Sequence, residues 1–198
     1  GIYRLETRMN LHLMIRTLLA LTLLVIVTSD RSAIAQEEKN KEQAAAEARE
    51  KATAQLKANL EKMSDNVFLR ERTLDSGNKI FQLIWEMDGD TSKITFELRE
   101  LGHFRGELVY GILAYSLVSG VEEGSLPPAV IKAVATKNER TGLGYFSMPE
   151  KFNTVFINMS APSDTLTPSQ LWMICAYMHQ NRVGFKKEIE SLLNALGQ

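Results

Sequence analysis

One cysteine in 198 residues, Cys175, leaves no partner for an intramolecular disulfide and no second thiolate for a multi-cysteine zinc site. Basic charge is also short. With 23 Lys+Arg against 24 Asp+Glu, the formal charge of −1 provides no surplus with which to grip a nucleic-acid backbone, and nucleic acid is not expected as a partner. Catalytic signatures are missing as well: there is no HExxH, no nucleophile elbow and no nucleotide-binding signature. Gly142-Leu143-Gly144 is too short to cradle a phosphate and precedes a strand-like segment, whereas phosphate loops precede helices. Asp88, Asp90 and Glu86 do not complete an EF-hand pattern and read as a solvated turn. The composition, 44% hydrophobic and 24% charged, is that of a globular chain.

Long apolar runs are absent too. The uncharged stretch Thr17–Ser29 has 13 residues, fewer than the ~20 that an upright membrane helix needs. Arg16 precedes it, and Asp30, Arg31 and the triplet Ala33-Ile34-Ala35 follow, which is the pattern of a secretory signal peptide cleaved before Gln36. Gly1–Arg8, ahead of Met9, read as an upstream extension, and residues 1–35 are set apart from the fold. The expected protein is exported, periplasmic or secreted, without a stable membrane span once the signal is removed.

What is present is periodicity. Residues 36–64 are rich in Ala, Glu, Lys and Gln and free of Gly and Pro, which predicts a helical arm. Only Leu56, Leu60 and Met63 form an apolar stripe, so only its second half can dock firmly. The domain proper is expected at 65–198. There the period changes to two: KIFQLIWEM (79–87) and KITFELRE (93–100) alternate as half-buried strands around the hairpin signal Asp88-Gly89-Asp90. ELVYGILAYSLV (107–118) is apolar on both faces, the pattern of a central strand covered on each surface. VFLRERTL (67–74) is a candidate earlier strand with poorer alternation, and His103 falls in an apparent loop, LGHFRG.

Pro127 and Pro128 open a short helix that ends near Asn138 and Gly142. Leu143–Met148 and Thr154–Ser160 form a second hairpin. A long last helix starts at the capping box Thr167-Pro168-Ser169-Gln170 and runs to about Leu196, with Gly184 as a place where it can bend. The fold class is therefore α+β: an antiparallel sheet with a helix, three-strand meander, helix, two-strand hairpin and long C-terminal helix.

This order resembles the type III secretion chaperone fold. The segments PPAVIKAVATKN, GLGYFSM, TVFINMSAP and LTPSQLWMICAYM are similar to the YbjN family of bacterial sensory transduction regulators. The resemblance covers roughly residues 65–196. It implies a compact domain that binds proteins or acts in regulation, usually without catalysis and often as a dimer. It carries over no catalytic residue, and it matches Asn138 as a residue that caps the turn after the short helix.

Cys175 and His179 lie four apart on one helix face, among Leu171, Ile174 and Met178, and read as core. The expected function is a non-catalytic, exported protein-binding or regulatory module with no cofactor and no metal. Its partner is another protein, or a second copy in a homodimer. The residues picked as a partner or ligand surface are Phe81, Trp85, Trp172 and Tyr177, although Phe81, Trp85 and Phe156 equally suit the core. The alternative is a small-molecule or lipid binder with a pocket between the last helix and the sheet, lined by Trp172, Met173, Tyr177 and Met178. A hydrolase would have to use Cys175 or Ser147 as nucleophile.

Overall fold

A computed structural model describes residues 36–63, 68–122, 124–149, 153–163 and 165–196. The apolar run and the cleavage triplet lie outside them. In order come α1 (36–61), β1 (Phe68–Thr73), β2 (Lys79–Met87), β3 (Asp90–Phe104), β4 (Glu107–Gly120), α2 (Pro128–Arg140), β5 (Tyr145–Ser147), β6 (Thr154–Pro162) and α3 (Pro168–Ala195). The protein is α+β: three helices and one six-stranded antiparallel sheet in the order β1-β2-β3-β4-β6-β5. No helix among the described residues is long and apolar enough to cross a membrane.

The meander has four strands where three were expected. VFLRERTL supplies the extra one, with Phe68 opposite Ile84 and Arg72 opposite Ile80. Its alternation is poor because an edge strand carries charge on both faces, which discourages further strand pairing. β2 and β3 join through Asp88-Gly89, both at positive φ (54° and 81°), the two-residue turn whose twist suits a hairpin. LGHFRG is not a loop. Arg105 and Gly106 repeat the same turn (52° and 84°), so β3 runs on to Phe104 and His103 is a strand residue opposite Leu108. In the second hairpin β5 is shorter than expected. Gly144 stands at φ 73°, where a Cβ would lie 2.5 Å from the Asn158 carbonyl oxygen, so strand pairing begins only at Tyr145.

The core lies on one face of this sheet. Phe81, Phe96, Ala114 and Met159 form a row across β2, β3, β4 and β6. Leu83, Trp85, Ile94, Leu98, Ile112, Phe146 and Ile157 join it, under Leu56 and Leu60 of α1, Val130 and Val134 of α2, and Leu171, Met178, Phe185 and Ile189 of α3. Polar groups tie each helix down. Asn59 of α1 donates to the Leu166 carbonyl at 2.7 Å, and Lys57 and Lys79 both bind Glu71 of β1, at 2.9 and 2.8 Å. Asn138 does not cap its own helix: its amide donates to the Phe146 carbonyl at 2.9 Å and its Oδ1 accepts from the Phe146 N–H at 2.6 Å, standing in for a strand beside β5. Thr141 closes α2 instead, donating to the Lys137 carbonyl. α3 opens with the expected capping box between Thr167 and Gln170.

The chain divides into two units, Gly1–Glu47 and Ala48–Gln198, so the boundary falls inside the arm rather than at its end. In the first unit, the described residues 36–47 are helical, with an exposed Lys41–Glu37 pair at 2.6 Å. The second unit takes in the rest of α1, whose Leu56 and Leu60 are core residues. Two substitutions test this account by urea unfolding. Leu60→Ala should cost about 2–5 kcal/mol, the range for a large-to-small change in a core. Thr167→Ala should cost about 1 kcal/mol through loss of the cap.

Candidate functional site

Four places on the molecule carry polar or exposed groups that suit a function. The first is buried beneath α3. Ser92 of β3 lies 2.8 Å from His179 Nδ1, and Arg182 donates to the same Ser92 Oγ at 3.3 Å. The direction of the Ser92–His179 bond follows the imidazole tautomer, and Ser92 Oγ can accept from Arg182 in either case. Arg182 also donates to the carbonyls of Leu117 (2.7 Å) and Thr91 (3.1 Å). This serine and histidine, 87 residues apart in the chain, were not paired by any sequence signal. Ser92 is fully buried, so its hydroxyl meets α3 and not a substrate.

Cys175 is fully buried too, and desolvation pushes its thiol up to about 12. The nucleophilic form is a thiolate, which this environment suppresses. Ser147 accepts from Asn158 at 2.7 Å. Among the described residues no group of three His, Cys, Asp or Glu side chains is placed to hold a metal ion.

The second place is the aromatic pair Trp85–Trp172, edge to face with centroids 5.7 Å apart and planes at 70°. Trp85 is buried and its indole N–H has no hydrogen-bond acceptor. Trp172 remains 45% exposed beside exposed Met173. Phe81 is 1% exposed at the centre of the core and offers no surface. Of the four residues picked from the sequence, Phe81 and Trp85 are thus interior, Trp172 is superficial, and Tyr177 stands elsewhere.

Tyr177 marks the third place. Its hydroxyl accepts from the Leu143 N–H at 3.3 Å and lines a cavity of about 370 Å³ between α2 and α3, with Lys137, Arg140, Thr141, Asn181 and Glu188. The pocket expected between the last helix and the sheet is not formed by the residues named for it. Met178 is fully buried in the core, while Met173 and Trp172 face outward.

The fourth place is the outer face of the sheet. Every sheet residue in the core cluster projects from the helix side. Among the described residues no helix covers the other side, where alternate positions carry Phe68 on β1, Ile80 and Ile84 on β2, Leu113, Tyr115 and Leu117 on β4, Phe156 on β6 and Tyr145 on β5. Tyr115 and Phe156 meet edge to face, centroids 6.3 Å apart. Burial among these side chains raises the Tyr115 hydroxyl's pKa. The margins of this face are open, with Phe68 61% exposed, Leu101 62%, Leu117 47% and Tyr145 47%, whereas its middle is buried, with Ile80 4% exposed, Thr95 5%, Asn158 7%, Leu113 8% and Gln82 9%. From the sequence the sheet surface is one of two expected binding places, beside the N-terminal arm, and of these residues only Phe156 is a groove candidate; the signal of those on β4 is visible in the doubly apolar ELVYGILAYSLV. That pattern called for cover on both surfaces, and among the described residues the helices cover only one.

Compared with protein-family models, curated proteins and solved structures, the chain has no match.

The buried thiol has a measurable consequence. Its native pKa lies above that of an exposed cysteine, about 8.5, so the unfolded chain loses the proton first as pH rises. The stability it contributes is present below about pH 8.5 and is lost towards pH 12. Urea unfolding at pH 8, 9 and 10 should show a decline that Cys175→Ala flattens, and a thiol-specific reagent should label native protein only as fast as it unfolds.

Proposed function

We propose that this chain is an exported, non-catalytic protein-binding module of the YbjN-like, secretion-chaperone-like kind, which engages another protein through the outer face of its sheet. One observation carries the reading: β4 is apolar on both sides, its inner side lies beneath helices, and on its outer side Leu113 is buried while Leu117 stands 47% exposed with no helix over it among the described residues. A face with Leu113, Tyr115, Leu117, Phe156 and Tyr145 side by side has the character of an interaction surface, since such patches on soluble domains mark places where a partner excludes water. Export is supported by the apolar run and the Ala33-Ile34-Ala35 triplet. The charge balance supports a protein rather than a nucleic acid as partner.

A second reading, a small-molecule binder, is favoured by the α2–α3 cavity. Its charged and hydroxyl-bearing lining suits a polar ligand better than an acyl chain. Extraction of purified protein followed by mass spectrometry would return a reproducible polar compound if that reading holds.

The main reading is tested by cross-linked capture from the source cell's envelope fraction. Three forms are compared: the full chain, a form beginning at Ala48, and the full chain with Leu117→Lys. Leu117 is exposed, so its substitution should leave the melting temperature nearly unchanged. A partner captured by the first two and lost with Leu117→Lys supports the sheet face. A partner retained by Leu117→Lys and lost by the shortened form would place binding on residues 36–47 and overturn it.

A further inference from the structure

We infer that the segment docked on the outer sheet face is acidic and amphipathic, with its carboxylates turned towards β1. This rests on the reading of that face as the binding surface and names the chemistry it selects. The strand registers define the layout. An apolar track follows β4 through Val109, Leu113, Tyr115 and Leu117, with Leu101 folded over Gly111, where a Cβ would come within 2.8 Å of the leucine side chain. On one side of this track, β6 and β5 present Phe156, Asn158, Ser160, Tyr145 and Ser147, none of them charged.

On the other side are cations. Lys93 and Arg99 stand on β3, one strand away at about 5 Å, and Arg70 and Arg72 on β1, three strands away at about 14 Å. Arg99 is held by Glu97 at 3.2 Å. Arg70, Arg72 and Lys93 form no ion pair among the described residues. The remaining carboxylates of this face, Glu86 and Glu107, sit near opposite ends of the track. Arg70, Arg72 and Lys93, exposed and without an ion pair among the described residues, all lie on the β1 side of the apolar strip, an asymmetry on a chain of formal charge −1.

A helix about 10 Å across fits such a strip, its apolar side on the exposed Leu101 and Leu117 and the half-buried Tyr115, and its acidic side within reach of long Lys and Arg side chains. The same asymmetry disfavours a second copy of this chain. A symmetric pair must offer the same face to itself, and the unpaired charges along the β1 margin are all positive. It also disfavours a lipid surface, which would be met by cations on both margins of the apolar strip.

The test uses the full chain and a fluorescent 18-residue helical peptide with Leu and Phe on one side and Glu on the other. Its counterpart carries Lys in place of Glu, and anisotropy is read from 50 to 300 mM NaCl. The acidic peptide should bind at least tenfold more tightly, and the advantage should shrink as salt rises. Arg70→Glu with Arg72→Glu should weaken the acidic peptide and strengthen the basic one, whereas Leu117→Lys should weaken both. Equal binding of the two peptides, or binding of neither, overturns the inference. So does a preference that charge reversal does not move. Binding to phosphatidylglycerol vesicles without the acidic peptide being bound would assign the face to lipid. A dimer in sedimentation velocity that Leu117→Lys dissociates would assign it to a second copy. If envelope capture still depends on Leu117 while the acidic peptide is not bound, the chemistry inferred here fails and the sheet-face reading stands. Capture that ignores Leu117 removes the reading itself.

Discussion

Burial of one face of the antiparallel sheet beneath α1, α2 and α3 is the interaction on which the rest of the molecule depends. The row Phe81–Phe96–Ala114–Met159 crosses four strands, and the residues stacked along it remove water from both the strands and the helices above them. α3 packs on β2, β3, β4 and β6, so a single long helix holds strands from both the meander and the second hairpin. Pairing of β4 with β6 then joins two segments separated in the chain by a helix. Among the described residues no helix lies on the other side of the sheet, whose margins stand exposed at Phe68, Leu101, Leu117 and Tyr145.

The polar groups inside this layer serve the same end. Ser92, His179 and Arg182 satisfy one another and the carbonyls of Thr91 and Leu117, which lets α3 lie against the end of the sheet without stranding donors. Asn138 supplies β5 with the donor and acceptor that a neighbouring strand would have offered, and so protects an edge only three residues long. Trp85 is the exception. Its N–H has no hydrogen-bond partner among the described residues, and its ring meets the half-exposed Trp172 edge to face.

Elements with strong local chemistry were legible from the residues. The Asp88-Gly89 turn, the Thr167–Gln170 box and the alternation of 79–87 each depend on neighbours within a few positions, and each appears where its pattern lies. Elements defined by pairing were not. β1 carries charge on both faces because it is an edge, so its alternation is blurred until Ile84 and Leu83 are seen beside it. LGHFRG looked like a loop because its apolar residues are sparse, but the Arg105-Gly106 turn returns it as the far end of a long hairpin. The candidate site was legible only as a paradox: a strand apolar on both sides, where the helices of the described residues serve one.

By itself the sequence determined the α+β class, the order of most elements, the docking half of the first helix and the presence of a single thiol, since these follow from periodicity, caps and composition. Tertiary structure decided which aromatics are core and which are surface. Phe81 and Tyr115 are both large aromatics on alternating strands, and nothing in their local pattern separates them; only the side on which the helices came to rest makes one interior and the other part of an open face. It likewise decided that unpaired cations from β1 and β3 line one margin of that face, because the register between strands, and not the spacing along any one of them, sets which side chains share a surface.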